Sequence, residues 1–320
     1  MINRREFSLL TAGLMIGGTV VTSPARAVSK TFRIAFQKGA GNLIFLKERG
    51  ILEKKLAPFG WSVTWTEFQA GPQLLEALNV GAADFGLVGE APPIFAQAAG
   101  ANIVYAGYEP ASPKNEAIIV PKDSPINTVA DLKGKRVALN KGSNVNYLLV
   151  RALEANGLEY GDITPAYLAP ADARAAFERG AVDAWVIWDP YFAAAELALG
   201  AKTIVDGTGL APNVSFYMAA RPVAEQSPDV LKAVLAAVDE IDVWIRDNRK
   251  QYAAELAPKV GLPVEVIERS VNRAEPGARA IDAATLEGQQ KIADAFAKLK
   301  LIPKSVNVVD AAWKVPALTR

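Results

Sequence analysis

Arg33-Ile34-Ala35-Phe36-Gln37-Lys38-Gly39 returns about a hundred residues later as Arg136-Val137-Ala138-Leu139-Asn140-Lys141-Gly142. Each copy is an apolar strand pattern that runs into a Lys-Gly turn, and a helical pattern follows each turn. The later part of the unit recurs too. Gly81-Ala82-Ala83-Asp84, an apolar strand and Glu90 are matched by Gly180-Ala181-Val182-Asp183, a strand and Asp189. Two βα lobes whose strands end in glycine turns before helices direct backbone N–H groups toward a shared crevice, where an anion is favoured. The repeat predicts an α/β chain of two lobes, each a mixed sheet flanked by helices, with the functional site between them.

Outward from the first copy, strand patterns fall at 32–36, 61–67, 85–88 and 103–108. Helical patterns fall at 43–56, after Gly71-Pro72-Gln73, and from Pro92-Pro93 to 99. Proline in a first turn marks a helix start, because its missing N–H would be unpaired there anyway. Glu109-Pro110-Ala111-Ser112-Pro113 is a breaker cluster, and the strand at 116–120 reads as a crossover leading away from the first lobe. The second copy has strands at 136–139, 166–168 and 184–187, with helices at 144–156, 171–179 and from Pro190. Residues 213–219 alternate as a return strand. The chain beyond Arg221 is mostly helical, with amphipathic spacing at 230–245 and 284–299 that should pack on the first lobe. The expected division is residues 28–120 with 217–320 in a discontinuous first lobe, and 121–216 in the second. Two crossings suit a hinge, since the lobes can bend without losing their relative orientation.

Composition narrows the chemistry. With 320 residues, 51% of them hydrophobic, the chain can bury the core of one or two α/β domains. The formal charge of +1 leaves no basic footprint for nucleic acid. Cysteine and histidine are both absent, which removes thiol nucleophiles, imidazole and thiolate metal ligands, disulfides and the usual neutral-pH proton shuttle. Carboxylate or lysine catalysis remains open, but no pairing in the sequence marks it, so the expectation is no catalytic residues, no metal and no cofactor. Arg4-Arg5-Glu6-Phe7, an apolar run and Ala25-Arg26-Ala27 have the layout of an export signal over residues 1–27, cleaved near Val28. The paired arginines fit a twin-arginine signal as well as an ordinary secretory leader. No later apolar run approaches the roughly 20 residues needed to span a bilayer.

Candidate ligand contacts cluster at strand ends. Gln37 and Asn140 hold matching positions, where an amide can donate to a ligand oxygen or stabilise its own turn. Ser143 begins a helix, so its hydroxyl either meets a bound anion or caps the helix. Gly71 and Gln73 form a second helix entrance on the first lobe. Lys38 and Lys141 on the turns either point into the cleft or remain solvated. Asp189 before Pro190 reads as an N-cap or as a cleft acid, and Glu90 is its counterpart. Trp188 and Tyr191 either wall an apolar ligand segment or belong to the core.

At these residues the chain resembles a known family. Gln37-Lys38-Gly39, Gly71-Pro72-Gln73-Leu74-Leu75, Pro92-Pro93-Ile94-Phe95, Ala130-Asp131-Leu132-Lys133-Gly134, Pro170-Ala171-Asp172-Ala173-Arg174 and Trp188-Asp189-Pro190-Tyr191 look like the aliphatic-sulfonate-binding proteins of bacterial ABC importers. The resemblance implies a two-lobed periplasmic binding protein of type II. Such a protein, working as a monomer, closes on a small organosulfonate and hands it to permease subunits for sulfur acquisition. The family pattern places Gln37, the Gly71 turn, Gly89-Glu90-Ala91, Ser143 with its helix entrance and Trp188-Asp189 around the ligand. Gln73, Asn144, Asn146, Tyr191 and Ser215 complete the candidate set. Similar proteins are often hydroxyl-rich after Lys-Gly-Ser, whereas Asn144-Val145-Asn146 stands here and alters the donors. A sulfonate is fully ionised and has three equivalent oxygens, so it asks for converging N–H and O–H donors and for no metal or base. A receptor for taurine or nitrate is the alternative within the same architecture. Enzymes of this architecture that depend on cysteine or histidine are disfavoured by the lack of both.

Overall fold

A computed structural model describes residues 30–314; the export signal expected at 1–27 lies outside the described residues. The strands are β1 Lys30–Gln37, β2 Trp61–Phe68, β3 Phe85–Gly89, β4 Ile103–Glu109, β5 Glu116–Val120, β6 Arg136–Leu139, β7 Thr164–Tyr167, β8 Ala184–Trp188, β9 Lys202–Asp206 and β10 Ser215–Ala220. The helices are α1 Gly41–Arg49, α2 Ile51–Leu56, α3 Gly71–Asn79, α4 Ala91–Ala98, α5 Asn144–Ala155, α6 Pro170–Glu178, α7 Tyr191–Leu199, α8 Arg221–Gln226, α9 Pro228–Asp247, α10 Arg249–Val260, α11 Val264–Val271 and α12 Ala283–Lys298.

The strands form two five-stranded sheets with orders β2-β1-β3-β10-β4 and β7-β6-β8-β5-β9. Both are mixed. In each, three strands run parallel and the fourth position is filled by an antiparallel strand that has just crossed from the other lobe. One expected assignment differs and one agrees. The strand at 116–120, placed in the first lobe by its position in the chain, pairs with β8 and β9 of the second sheet. The return strand pairs with β3 and β4 of the first. The crossings are thus residues 110–115 and 207–214, and the exchange satisfies the backbone groups of both strands inside a sheet.

The sequence repeat has a structural cause. Asp84 N–H donates to the Arg33 carbonyl at 2.8 Å, and the Arg33 N–H returns a bond to Asp84 Oδ2 at 2.8 Å. Asp183 N–H donates to the Arg136 carbonyl at 2.8 Å, and the Arg136 N–H reaches Asp183 Oδ2 at 2.7 Å. One aspartate clamps the start of the leading strand in each lobe, so the same residues recur at the same places.

Three local expectations are revised. The helix at 43–56 breaks at Gly50, whose φ of 59° ends α1 in the left-handed region that glycine adopts without a Cβ penalty. The strand at 166–168 begins earlier, at Thr164, and holds Pro165, which is tolerated because β7 lies at a sheet edge. β9, a short partly exposed edge strand, gives no clear alternation and was not expected.

The buried face of α9 is Val230, Leu231, Val234, Ala237, Val238, Ile241 and Ile245, and it packs on α1 and α2 of the first lobe as its spacing predicts. On the other side of that sheet, Val88, Ile94, Val145, Leu148 and Phe296 belong to an apolar cluster continuous with the second lobe. Phe296 of α12 touches Phe95 at 5.1 Å and Tyr147 at 5.7 Å between ring centres, so it braces α4 against α5. Among the described residues, no helix is long and apolar enough to cross a membrane.

Candidate functional site

A cavity of about 180 Å³ is walled by both lobes, both crossings and the C-terminal helices. The corner at Gly39 brings the start of α1 to it, with Lys38, Gly41 and Asn42 in the lining. The first N–H groups of a helix have no acceptor within the helix and can serve an anion; here Leu43 N–H is taken by Asn42 Oδ1 at 2.8 Å, which leaves Gly41 and Asn42 to offer theirs. Gly39 itself abuts the opposite lobe: an added Cβ would sit 3.2 Å from the Asp189 carbonyl oxygen. The matching corner at Gly142 also faces across the lobes, 3.7 Å from Phe95 by the same measure, but it does not line the cavity.

Of the residues singled out in the sequence, Gln37, Gly89, Asn144, Trp188, Asp189 and Ser215 meet at this cavity. Gln37 Nε2 donates to the Leu87 carbonyl at 3.0 Å, which holds its amide at the wall. Asn144 Nδ2 donates to Asn213 Oδ1 at 3.0 Å and to Glu116 Oε2, so its side chain is pinned between the second crossing and β5. Trp188 stands in the lining with Tyr191 edge-on behind it at 6.5 Å.

The structure does not bring the other seven to the wall. Gly71 packs under Pro92, and Gln73 is exposed on α3. Ala91 and Glu90 are fully buried at the start of α4. Ser143 is buried and its hydroxyl donates to the Asn140 carbonyl at 2.7 Å, so it closes the turn rather than capping α5 through its side chain. Asn146 Oδ1 accepts from Gly142 N–H at 3.2 Å and supports the same turn. Of the lysines, Lys38 lines the cavity, whereas Lys141 lies over the Tyr167 ring at 5.3 Å. Ser143→Ala is therefore expected to leave ligand affinity unchanged and to lower stability by about 1 kcal/mol. Titration calorimetry and urea unfolding on one preparation separate the two effects.

Several lining residues are not marked by the sequence reading. Asn42 Nδ2 donates to Asp242 Oδ1 at 2.9 Å and to the Tyr217 hydroxyl at 2.7 Å. Tyr217 donates to Glu109 Oε1, and Glu109 Oε2 accepts from Gly277 N–H at 2.8 Å. Burial pushes both Glu109 and Asp242 above their ordinary values; Asp242 is raised further by neighbouring Glu109, whereas hydrogen bonds from Asp242, Tyr217 and Gly277 pull Glu109 back down. Raised in this way, the pair resists carrying two charges at once, which lessens the repulsion that two carboxylates would exert on an anion. One signal for Asp242 was available: it is an acid four residues beyond Val238, on the apolar face of α9.

Glu90 and Asp189, the repeat counterparts, are both buried acids. Glu90 Oε2 accepts from Val214 N–H at 3.0 Å, and burial pushes its carboxyl up to about 8. Glu116, pushed up in the same way, feels the charge of Glu90. Asp189 Oδ1 accepts from Ala193 N–H at 2.8 Å, which supports the first turn of α7, although the cap position itself is held by Pro190. Burial raises Asp189 to about 6 against the pull of Arg273, whose guanidinium lies 3.2 Å from Oδ2. Arg273 has no counterpart in the repeat. Among the described residues, no group of three or more acidic side chains is placed to hold a metal ion.

Comparison with known proteins bears on this geometry. Residues 60–240 match the family model described as NMT1/THI5 like. A curated relative from Escherichia coli (strain K12), named as an aliphatic sulfonates-binding protein, is 46% identical over 97% of this chain and 97% of its own length. The alkanesulfonate-binding protein SsuA from Xanthomonas axonopodis pv. citri, solved bound to MOPS, superposes with a TM-score of 0.85 at 43% identity, covering 88% of this chain and 98% of that one. The periplasmic aliphatic sulphonate binding protein SsuA from Escherichia coli superposes with a TM-score of 0.83 at 47% identity, covering 91% and 94%. The two-lobed α/β architecture of type II periplasmic binding proteins is thereby shared along nearly the whole chain.

Proposed function

Because the chain belongs to the aliphatic-sulfonate-binding proteins of the NMT1/THI5-like family, we propose that its interlobe cavity captures an organosulfonate and delivers it unchanged to the permease of an ABC importer for sulfur acquisition. The observation that carries this reading is a cavity walled by both lobes, with the start of α1 and Lys38 at one side. A permanently ionised tetrahedral head group needs several donors and no base, which this wall supplies. Gln37, Gly89, Asn144, Trp188, Asp189 and Ser215 are the proposed contacts. Gly71, Glu90, Ala91, Ser143, Asn146 and Tyr191 serve behind them, and Gln73 lies apart on the surface of α3. The mature protein works as a periplasmic monomer after residues 1–27 direct export and are cleaved.

Ile245, Leu256, Ile267 and Val271 give the cavity an apolar side that suits an alkyl tail. Each methylene buried there should contribute about 0.8 kcal/mol, or about fourfold in affinity. A second reading, a zwitterionic sulfonate such as taurine, is favoured by Glu109 and Asp242, which can ionise beside an ammonium. Calorimetry with ethane-, propane- and butanesulfonate, taurine, sulfate and nitrate tests both. Affinity rising along the alkyl series supports the first reading, and taurine above ethanesulfonate supports the second. Flat affinity removes the apolar-wall assignment, and failure of every sulfonate to bind ends the proposal.

A further inference from the structure

Asp189 lies in the cavity wall, yet its charge is met from outside the cavity. Arg273 follows α11 in the C-terminal helical layer, which packs on the first lobe, whereas Asp189 and α7 belong to the second. Arg273 Nη1 approaches Asp189 Oδ2 at 3.2 Å and Oδ1 at 3.4 Å, and Nη2 pairs with Glu196 of α7. The guanidinium also lies over the Phe192 ring at 4.0 Å. It is only 18% exposed, and the Asp189 side chain is fully buried. Arg269, one turn earlier, reaches Glu196 at 3.4 Å. Beneath these charges Ala193 and Ala194 of α7 pack with Val266 of α11 and with Leu262. An apolar contact topped by a four-member charge cluster thus joins the lobes at a place separate in sequence from both crossings.

We propose that Arg273 is a positioning residue for ligand capture: it fastens α7 to α11 when the lobes close and holds Asp189 in place, with its charge met, in the wall of the cavity. The role in capture rests on the organosulfonate reading above; the role in closure does not. The repeat supplies an internal control. Glu90, equivalent to Asp189 but without a cation, takes the other solution to burial and stays protonated. Asp189 keeps a carboxylate because a guanidinium arrives from the opposite lobe, and that pairing exists only while the lobes are together. An anionic ligand meets a neutral ion pair rather than a bare charge. The groups facing Asp189 are Arg273 and Glu196, with Arg269 acting through Glu196 and Lys38 across the cavity.

The test uses the mature protein with butanesulfonate as probe, comparing wild type, Arg273→Met, Arg273→Lys and Glu196→Gln. Stopped-flow binding, affinity from pH 5 to 8, and small-angle scattering without ligand are the readouts. Arg273→Met is expected to dissociate ligand at least tenfold faster with association nearly unchanged. Its affinity profile should shift to higher pH, because Asp189 then keeps its proton longer. Its ligand-free form should scatter as a more open particle, and Arg273→Lys should recover part of each effect. Wild-type dissociation, an unmoved pH profile, or equal behaviour of the Met and Lys variants would overturn the proposal. Should Arg273→Met fail to fold, the lysine variant and Glu196→Gln carry the same test through intermediate shifts in dissociation and lobe spacing. If wild type binds no sulfonate, the functional reading fails, and the scattering comparison still decides whether Arg273 fastens the lobes.

Discussion

Gly89→Ala is expected to weaken sulfonate binding by about fivefold to 150-fold while the protein remains folded. Gly89 ends β3 on the first lobe, and Asn144 opens α5 on the second. A methyl group there would lie 2.9 Å from Asn144 Oδ1, 3.0 Å from Cγ and 3.1 Å from Cβ. Asn144 cannot swing aside cheaply, because its amide is bonded to Glu116 and Asn213. Overpacking of this kind costs about 1–3 kcal/mol. The cost falls on the closed arrangement, since parting the lobes relieves it, and so it appears as lost affinity at the ratio quoted. Calorimetry gives the affinity, and urea unfolding without ligand gives the stability of the lobes. Unaltered affinity would mean that the lobes do not need this contact to close.

The second large effect is a dependence of stability on pH that runs opposite to acid denaturation. Glu90 rises from an ordinary 4.5 to about 8, and burial raises Glu116, Glu109 and Asp242 as well. Between those values the folded chain binds more protons than the unfolded chain, so stability falls as pH rises. It is fully present below about 4.5 for Glu90 and is lost as pH climbs toward 8. Asp189, raised to about 6, adds to the same slope at lower pH. Asp131, Asp162 and Asp282 are lowered by their hydrogen bonds, so their contribution is lost only at acid pH, below this window. One unit of pKa shift corresponds to about 1.4 kcal/mol, and in a chain of this size each kcal/mol moves the melting point by roughly 2–4 °C. The melting point should drop by several degrees from pH 5 to pH 8. Glu90→Gln keeps an oxygen to accept from Val214 and cannot ionise, so it should flatten much of that slope. A slope unchanged in the Gln variant would assign the effect to the other buried acids.

The two-lobed fold is legible because the Asp–Arg clamp at each leading strand is local chemistry written twice, at Arg33 with Asp84 and at Arg136 with Asp183. The helices of the C-terminal layer are legible from the spacing of apolar residues, as on α9. Sheet membership of β5 is not, because an apolar run of four residues after Glu116 fits the centre of either sheet and only tertiary pairing decides. At the cavity, strand-end residues such as Gln37 and Trp188 could be found from the repeat. Asn42, Glu109 and Arg273 could not, since their partners lie far away in the chain, and Asp242 is marked only as an acid on the apolar face of α9; the Asn42 amide and Asp242 are 200 residues apart. Ser143 shows the converse: a helix-opening serine invites a ligand role, while its hydroxyl is already committed to Asn140.

The place of β10 has a consequence for biogenesis. Ser215–Ala220 lies between β3 and β4, bonded to both, so the first sheet has a gap at its fourth position until translation has passed residue 220. A truncated product ending before Ser215 would leave two strand edges facing each other without a partner. By contrast β5 through β9 are contiguous, and an excised fragment spanning 116–206 keeps all five strands of its sheet. The nascent polypeptide can therefore assemble its insertion first and must complete its outer body last.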